Sequence, residues 1–348
     1  MHVAAFADSL ESFIILEKYG FKINVLSADN YQPFHYACVG GSLEVASYIL
    51  TKESENILAN SSAYGVFFFF FGIPVLYLAV LSNNPKIVTL LFKQGLKYVS
   101  RDYSKYNPFD LTIQCKSVEV MKILLKYSTF EISRTEDTWI MKAIRINQPE
   151  TIPILLEVGD DPGKIIKSAN GEYESALSIC CKSNIKNKEE IARLIIEKSM
   201  SLDIDEKVQA AGAVHWICES KSPAICKAVL EKGIKNINRF DQKGLPGPCR
   251  LLDAKDEKVV IEILSILLSY GYDLNGICPT VPTAKPLLAH FCRAIFPSVS
   301  VIEWLIKNGA DPYLQFQDDD GTVKTTMSIA KNKRKLIPVF AKFVQTSK

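Results

Sequence analysis

The chain has 348 residues, 48% of them hydrophobic and 23% charged, with a formal net charge of +3. That composition excludes a disordered polymer, and so even a charge balance argues against a nucleic-acid binder, which carries a strongly basic surface. Nine cysteines in a chain of this length do not make a disulfide scaffold; scattered among apolar residues, they read as buried thiols of a reducing, cytoplasmic compartment.

The chain opens on MHVAAFADSLESFIILEKYG, which has no positive charge ahead of its apolar run and alternates at helical spacing, so no signal peptide is read there. A helix is expected from Leu10 (LESFIILEKYG), and the same pattern returns from Leu43 (LEVASYILTKE). Between Ala63 and Leu81 come 19 uncharged residues, AYGVFFFFFGIPVLYLAVL, long enough to span a membrane. Gly65, Gly72 and Pro74 oppose a span, and from Pro74 onward the segment fits the recurring pattern. That pattern continues from Pro85 (PKIVTLLFKQG), Val118 (VEVMKILLKYS), Pro149 (PETIPILLEVG), Glu189 (EEIARLIIEKS), Pro223 (PAICKAVLEKG), Ile261 (IEILSILLSYG) and Val299 (VSVIEWLIKNG). Starts lie 31 to 42 residues apart, and a degenerate tenth copy falls near Met327 to Phe343. In the copy from Val118, Val120, Met121, Leu124 and Leu125 form one apolar stripe. The trailing glycines Gly20, Gly95, Gly159, Gly233, Gly271 and Gly309 read as helix terminators at positive φ.

A second motif precedes most copies: QPFHYAC from Gln32, PVLYLAV from Pro74, NPFDLTI from Asn107, SALSICC from Ser175 and GAVHWIC from Gly212. Each resembles the T-P-L-H-x-A opening of an ankyrin repeat, and the period of about 33 residues plus short insertions fits that family. Proline is tolerated in the first helical turn, where its missing N–H bonds nothing, and a small residue at the Ala position lets paired helices approach. With its irregular spacing, the chain resembles the divergent ankyrin proteins of protists.

The resemblance implies an all-α, ankyrin-type helical repeat solenoid with short β-hairpin or loop projections. It implies a single array over 1–348, of about nine units plus the degenerate C-terminal one, with a Phe-rich insertion near 61–72. Three departures are expected to distort it: Pro153 inside a second helix, predicting a kink or late start; GLPGPCRLL from Gly244, crowding Pro and Gly where a first helix should begin; and the loss of the Ala register around Leu287 to Cys292. Because Met1 falls directly ahead of a first-helix motif, the chain is expected to be a piece of a longer array or to begin on a partial cap.

The family implies a protein-binding scaffold or adaptor that grips a partner protein through its concave, hairpin-bearing face. By the repeat register, the partner-facing residues are Asp29, Tyr31 and Val39; Phe70, Phe71, Ile73 and Leu81; Tyr103, Tyr106 and Gln114; and Arg134, Asp137 and Arg145. Aromatic residues and Arg dominate interface hot spots. The phenylalanine run Phe67 to Phe71 has two readings, an exposed contact patch or a segment folded back on the array. An alternative function is a membrane-associated ankyrin protein with 63–81 inserted in lipid.

Chemistry-bearing constellations have plainer explanations. His35 with Cys38, and His215 with Cys218, share an H-x-x-C spacing, but each histidine holds the H of the repeat motif, where its ring can bond backbone, and zinc needs four ligands. Cys180 and Cys181 fall on small core positions. The run Asp318-Asp319-Asp320-Gly321 lacks calcium-loop spacing and reads as a turn into the last unit. Lys331-Asn332-Lys333-Arg334-Lys335 reads as the polar face of a terminal cap, with a nuclear import signal as the alternative. No G-x-S-x-G and no Gly-rich phosphate loop is present, so the expectation is no enzyme, no cofactor, no metal, no nucleic acid and no small-molecule substrate.

Overall fold

A computed structural model describes residues 1–62, 75–96, 99–100, 108–127, 129–130, 137–168, 170–204, 208 and 210–346. The described residues are mostly helical, and their helices come in pairs. Two compact units divide the chain, Met1–Asp160 and Asp161–Lys348.

In the first unit the pairs are α1 (His2–Phe6) with α2 (Leu10–Lys18), α3 (Pro33–Gly40) with α4 (Leu43–Ser62), α5 (Val75–Leu81) with α6 (Pro85–Lys93), α7 (Pro108–Gln114) with α8 (Val118–Tyr127), and α9 (Trp139–Arg145) with α10 (Ile152–Val158). First helices pack on first helices, α1 on α3, α3 on α5, α5 on α7 and α7 on α9; second helices α2, α4, α6 and α8 form a parallel row behind them. A short helix of this kind buries its apolar stripe only against neighbours, so the row rather than the single pair is the folding entity. The small-residue positions of the first helices, Ala37 and Cys38, Ala79 and Val80, Ala143 and Ile144, are 0–1% exposed. On α8, Val120, Met121 and Leu124 are buried and Leu125 is half-buried. In the first pair Phe13 is buried, whereas Val3 and Phe6 are exposed.

The segment from Ala63 to Leu81 divides at Val75. Its last seven residues are α5, a first helix with Val75, Leu76, Leu78, Ala79 and Val80 buried in the core of the unit. These side chains are already committed to helix packing, which corrects the reading of 63–81 as inserted in lipid. Among the described residues no helix is long and apolar enough to cross a membrane. The phenylalanine run lies outside the described residues.

In the second unit the pairs are α11 (Ala176–Lys182) with α12 (Lys188–Lys198), α13 (Ala213–Ser220) with α14 (Pro223–Lys232), a 3-10 turn (Gly247–Leu251) with α15 (Glu257–Ser269), α16 (Leu287–Arg293) with α17 (Val299–Lys307), and α18 (Thr326–Ala330) with α19 (Ile337–Thr346). The two rows recur, α11, α13, the 3-10 turn, α16 and α18 in one and α12, α14, α15, α17 and α19 in the other.

All six trailing glycines adopt φ between 85° and 100°, a positive φ that a residue without a Cβ takes at no steric cost. Pro153 acts as expected: a 3-10 turn (Pro149–Thr151) comes first, and α10 starts late, with the proline in its first turn. The Pro/Gly-rich first helix is reduced to its 3-10 turn, where Pro246 and Pro248 supply no backbone N–H, and it lies close against α13; a Cβ on Gly247 would stand 2.9 Å from the Val214 carbonyl oxygen. The lost Ala register near Leu287 does not break the pattern, since α16 forms and buries Leu287, Leu288, Ala289, Phe291 and Cys292.

Short strands connect the pairs. β1 (Val99–Ser100) pairs in parallel with β2 (Thr129–Phe130). Antiparallel ribbons form between β3 (Ile166–Lys167) and β4 (Tyr173–Glu174), and between β5 (Gln315–Gln317) and β6 (Val323–Thr325). The aspartate run Asp318 to Asp320 is the tip of the last ribbon. Asp318 lies 2.6 Å from Lys324 Nζ and 2.5 Å from Arg293 Nη2, and these cations hold its carboxyl far below the usual carboxylate range.

Candidate functional site

The sequence register assigns one outward position to each first helix, immediately after its two small core residues. In the first unit Val39, Leu81, Gln114 and Arg145 occupy it. The residues just before each of them are buried, yet Val39 is half-buried and Leu81, Gln114 and Arg145 are exposed. A helix whose inner stripe is fixed by packing leaves this position free to vary, and it carries an aliphatic, an amide and a cation on successive helices. Because the first helices stack in order, the four side chains mark one row along the unit.

The remaining residues assigned to this edge divide. Asp29 is exposed in the turn ahead of α3, and Tyr31 is half-buried. The Tyr31 ring stands 5.4 Å from that of His35, and its carbonyl lies 3.0 Å from His2 Nε2. Asp137 forms an ion pair with Arg145, so those two residues are brought together. Beside them Asp110 accepts from Trp139 Nε1 at 2.8 Å and Lys142 Nζ at 2.9 Å, bracing α7 against α9. Phe70, Phe71, Ile73, Tyr103, Tyr106 and Arg134 lie outside the described residues.

Carrying the register into the second unit adds residues that the sequence reading did not name. Lys182 ends α11 and Glu219 sits at the same position on α13. Both line a shallow cleft with Glu172 and Tyr173 of the β3–β4 ribbon, Trp216, Gln242 and Arg250. Lys182 pairs with Glu172 at 3.2 Å and Arg250 with Asp241 at 3.2 Å. The signal was available, because SALSICCK and GAVHWICE carry Lys182 and Glu219 one residue past the quoted motifs.

The histidine and cysteine motifs are structural. Gln32 N–H donates to His35 Nδ1 at 3.2 Å, and Gly212 N–H donates to His215 Nδ1 at 3.2 Å. His215 Nε2 then donates to the Leu245 carbonyl at 3.0 Å in the following unit. Both ring nitrogens of His215 are thereby engaged, which fixes the tautomer and removes it from metal ligation. Burial pushes its imidazole down to about 4, against the Leu245 bond, which favours the protonated ring. All nine cysteines are free, and eight are buried. Burial pushes Cys226 and Cys292 up to about 12 and Cys180 to about 11, so these thiols are poor nucleophiles.

Residues 1–102 match the family model for ankyrin repeats in three copies. Over 133 residues, 37% of the chain, the sequence is 29% identical to the human transient receptor potential cation channel subfamily A member 1. That alignment spans 11% of the channel's length.

Proposed function

We propose that this chain, whose first 102 residues are ankyrin repeats and whose later helices pair in the same way, is one array that binds a partner protein along its first-helix, hairpin-bearing face. Ankyrin repeats in general mediate protein–protein interaction and are not enzymes. The observation that carries the reading is the outward row Val39, Leu81, Gln114 and Arg145, varied in chemistry on a scaffold whose inner positions are uniformly small or apolar. Asp29, Tyr31 and Asp137 border that row, and Phe70, Phe71, Ile73, Tyr103, Tyr106 and Arg134 belong to the same face by sequence register. The Lys182 and Glu219 cleft offers the second unit's share. Buried, free thiols support a cytoplasmic setting.

The test replaces Leu81 with Glu and Gln114 with Lys together and measures capture of the partner and thermal unfolding. Both side chains are exposed, so unfolding should shift by no more than about 0.5 kcal/mol. Partner affinity should fall by about tenfold or more, as loss of an interface anchor does. Undiminished capture at unchanged stability would remove the row from the interface.

A further inference from the structure

The last two turns between first and second helices carry a feature that the partner face does not use. Between α16 and α17 the chain runs Ala294-Ile295-Phe296-Pro297-Ser298, and Ile295 and Phe296 are each 88% exposed. A large side chain lining a groove is covered on one flank; these two are not. The matching turn of the next pair, between α18 and α19, is Lys331-Asn332-Lys333-Arg334-Lys335-Leu336. Lys333 Nζ donates to the Ala294 carbonyl at 2.8 Å, which ties the two turns together. Lys331, Arg334 and Lys335 are exposed, and Ile337 beside them is 49% exposed. Neither turn contains an acidic residue, whereas the turn one pair earlier carries Asp253 and Asp256. Cation density and bare apolar surface thus coincide at these two turns.

We propose that this tip is a peripheral contact for an anionic lipid surface, with Ile295 and Phe296 entering the headgroup boundary and Lys331, Arg334 and Lys335 facing the lipid phosphates. Charge complementarity selects the occupant. A polybasic cluster is drawn to anionic lipid, and a small apolar anchor adds the second signal that stable but reversible surface binding requires. A single-stranded nucleic acid would pair with the cations and stack on Phe296 but leave Ile295 in water, and a purely acidic peptide would leave both Ile295 and Phe296 in water. The contact lies on the surface of the bilayer and needs no spanning helix.

The experiment is co-sedimentation of the full chain with phosphatidylserine-containing vesicles and with pure phosphatidylcholine vesicles at physiological salt. Binding is expected to the first and not to the second. Ile295→Ser with Phe296→Ser should lower partitioning by about tenfold or more, and Lys331→Gln with Arg334→Gln and Lys335→Gln by about a hundredfold. All five side chains are exposed, so unchanged circular dichroism and melting confirm that each variant is folded. In a Phe296→Trp variant, a blue shift of the emission on adding anionic vesicles reports insertion. The proposal is overturned by absence of binding to anionic vesicles, by binding indifferent to Ile295 and Phe296, or by equal affinity for a single-stranded oligonucleotide or a polyglutamate peptide.

Discussion

His215 shows how a residue that looks like a ligand in the sequence becomes a strut in the fold. Its side chain is 1% exposed, accepts from Gly212 N–H and donates to the Leu245 carbonyl, so one ring closes its own helix and ties it to the next unit. His215→Ala leaves a buried donor and a buried acceptor without partners, and should cost about 2–4 kcal/mol in urea unfolding. The pH dependence follows from the depressed pKa. The folded form holds the ring neutral down to about 4, while the unfolded chain protonates it near 6.5. Its contribution to stability is therefore complete above pH 6.5 and is lost as pH falls from there through 4. His290, also pushed down to about 4 by burial and by Lys285 and Arg293, adds a term of the same sign. Melting temperature should drop over that window, and less steeply in His215→Ala; a flat profile in both proteins would refute the assignment. The structural role of the motif histidines was legible in the sequence, because the repeat register set them where a ring meets backbone. The acceptor of the second bond, Leu245, was not, since it sits just ahead of a 3-10 turn that stands in place of a first helix.

Elements were legible wherever periodicity and terminators agreed. The nine second-helix starts read from the sequence fall within four residues of the observed ones, and Pro153 produced the late start that its ring demands. Less legible were the links between turns, which depend on side chains reaching across the repeat. Asn238 Nδ2 donates to the Gly271 carbonyl at 3.4 Å while its Oδ1 accepts from Asp273 N–H at 2.7 Å. Asn275 repeats the arrangement one pair later, donating to Gly309 at 2.9 Å and accepting from Asp311 N–H at 2.8 Å. Each asparagine thus clamps the turn glycine and the following aspartate of its neighbour, fixing the spacing of the hairpin edge. Sequence alone shows an Asn in a turn; only the stacked pairs show what its amide reaches. Asn275→Ala removes two exposed hydrogen bonds and should cost about 1 kcal/mol. Asn275→Asp keeps the acceptor and loses the donor, so it should fall between; an alanine variant as stable as the parent would show that the clamp is idle.

Across the molecule, fold and function were readable to different degrees. Fold followed from a physical necessity: an apolar stripe on a short helix must be covered by the next unit, so the pattern that repeats in the sequence must stack in space. The proposed partner-facing row carries no such requirement, so it leaves no periodic trace beyond its position in the register. The motif sets the register position of Val39, Leu81, Gln114 and Arg145, whereas the neighbours of Lys182 and Glu219 in the cleft beside the β3–β4 ribbon come from segments distant in sequence. The most direct measurement is a photo-crosslinking scan with the partner bound, placing the probe in turn at Gln114, Arg145, Lys182 and Glu219 on the first helices, and at Glu119, Lys122, Glu190 and Lys227 on exposed positions of the second helices. Adducts are expected at the first set and few at the second; adducts concentrated on the second helices would remove the partner from the first-helix face.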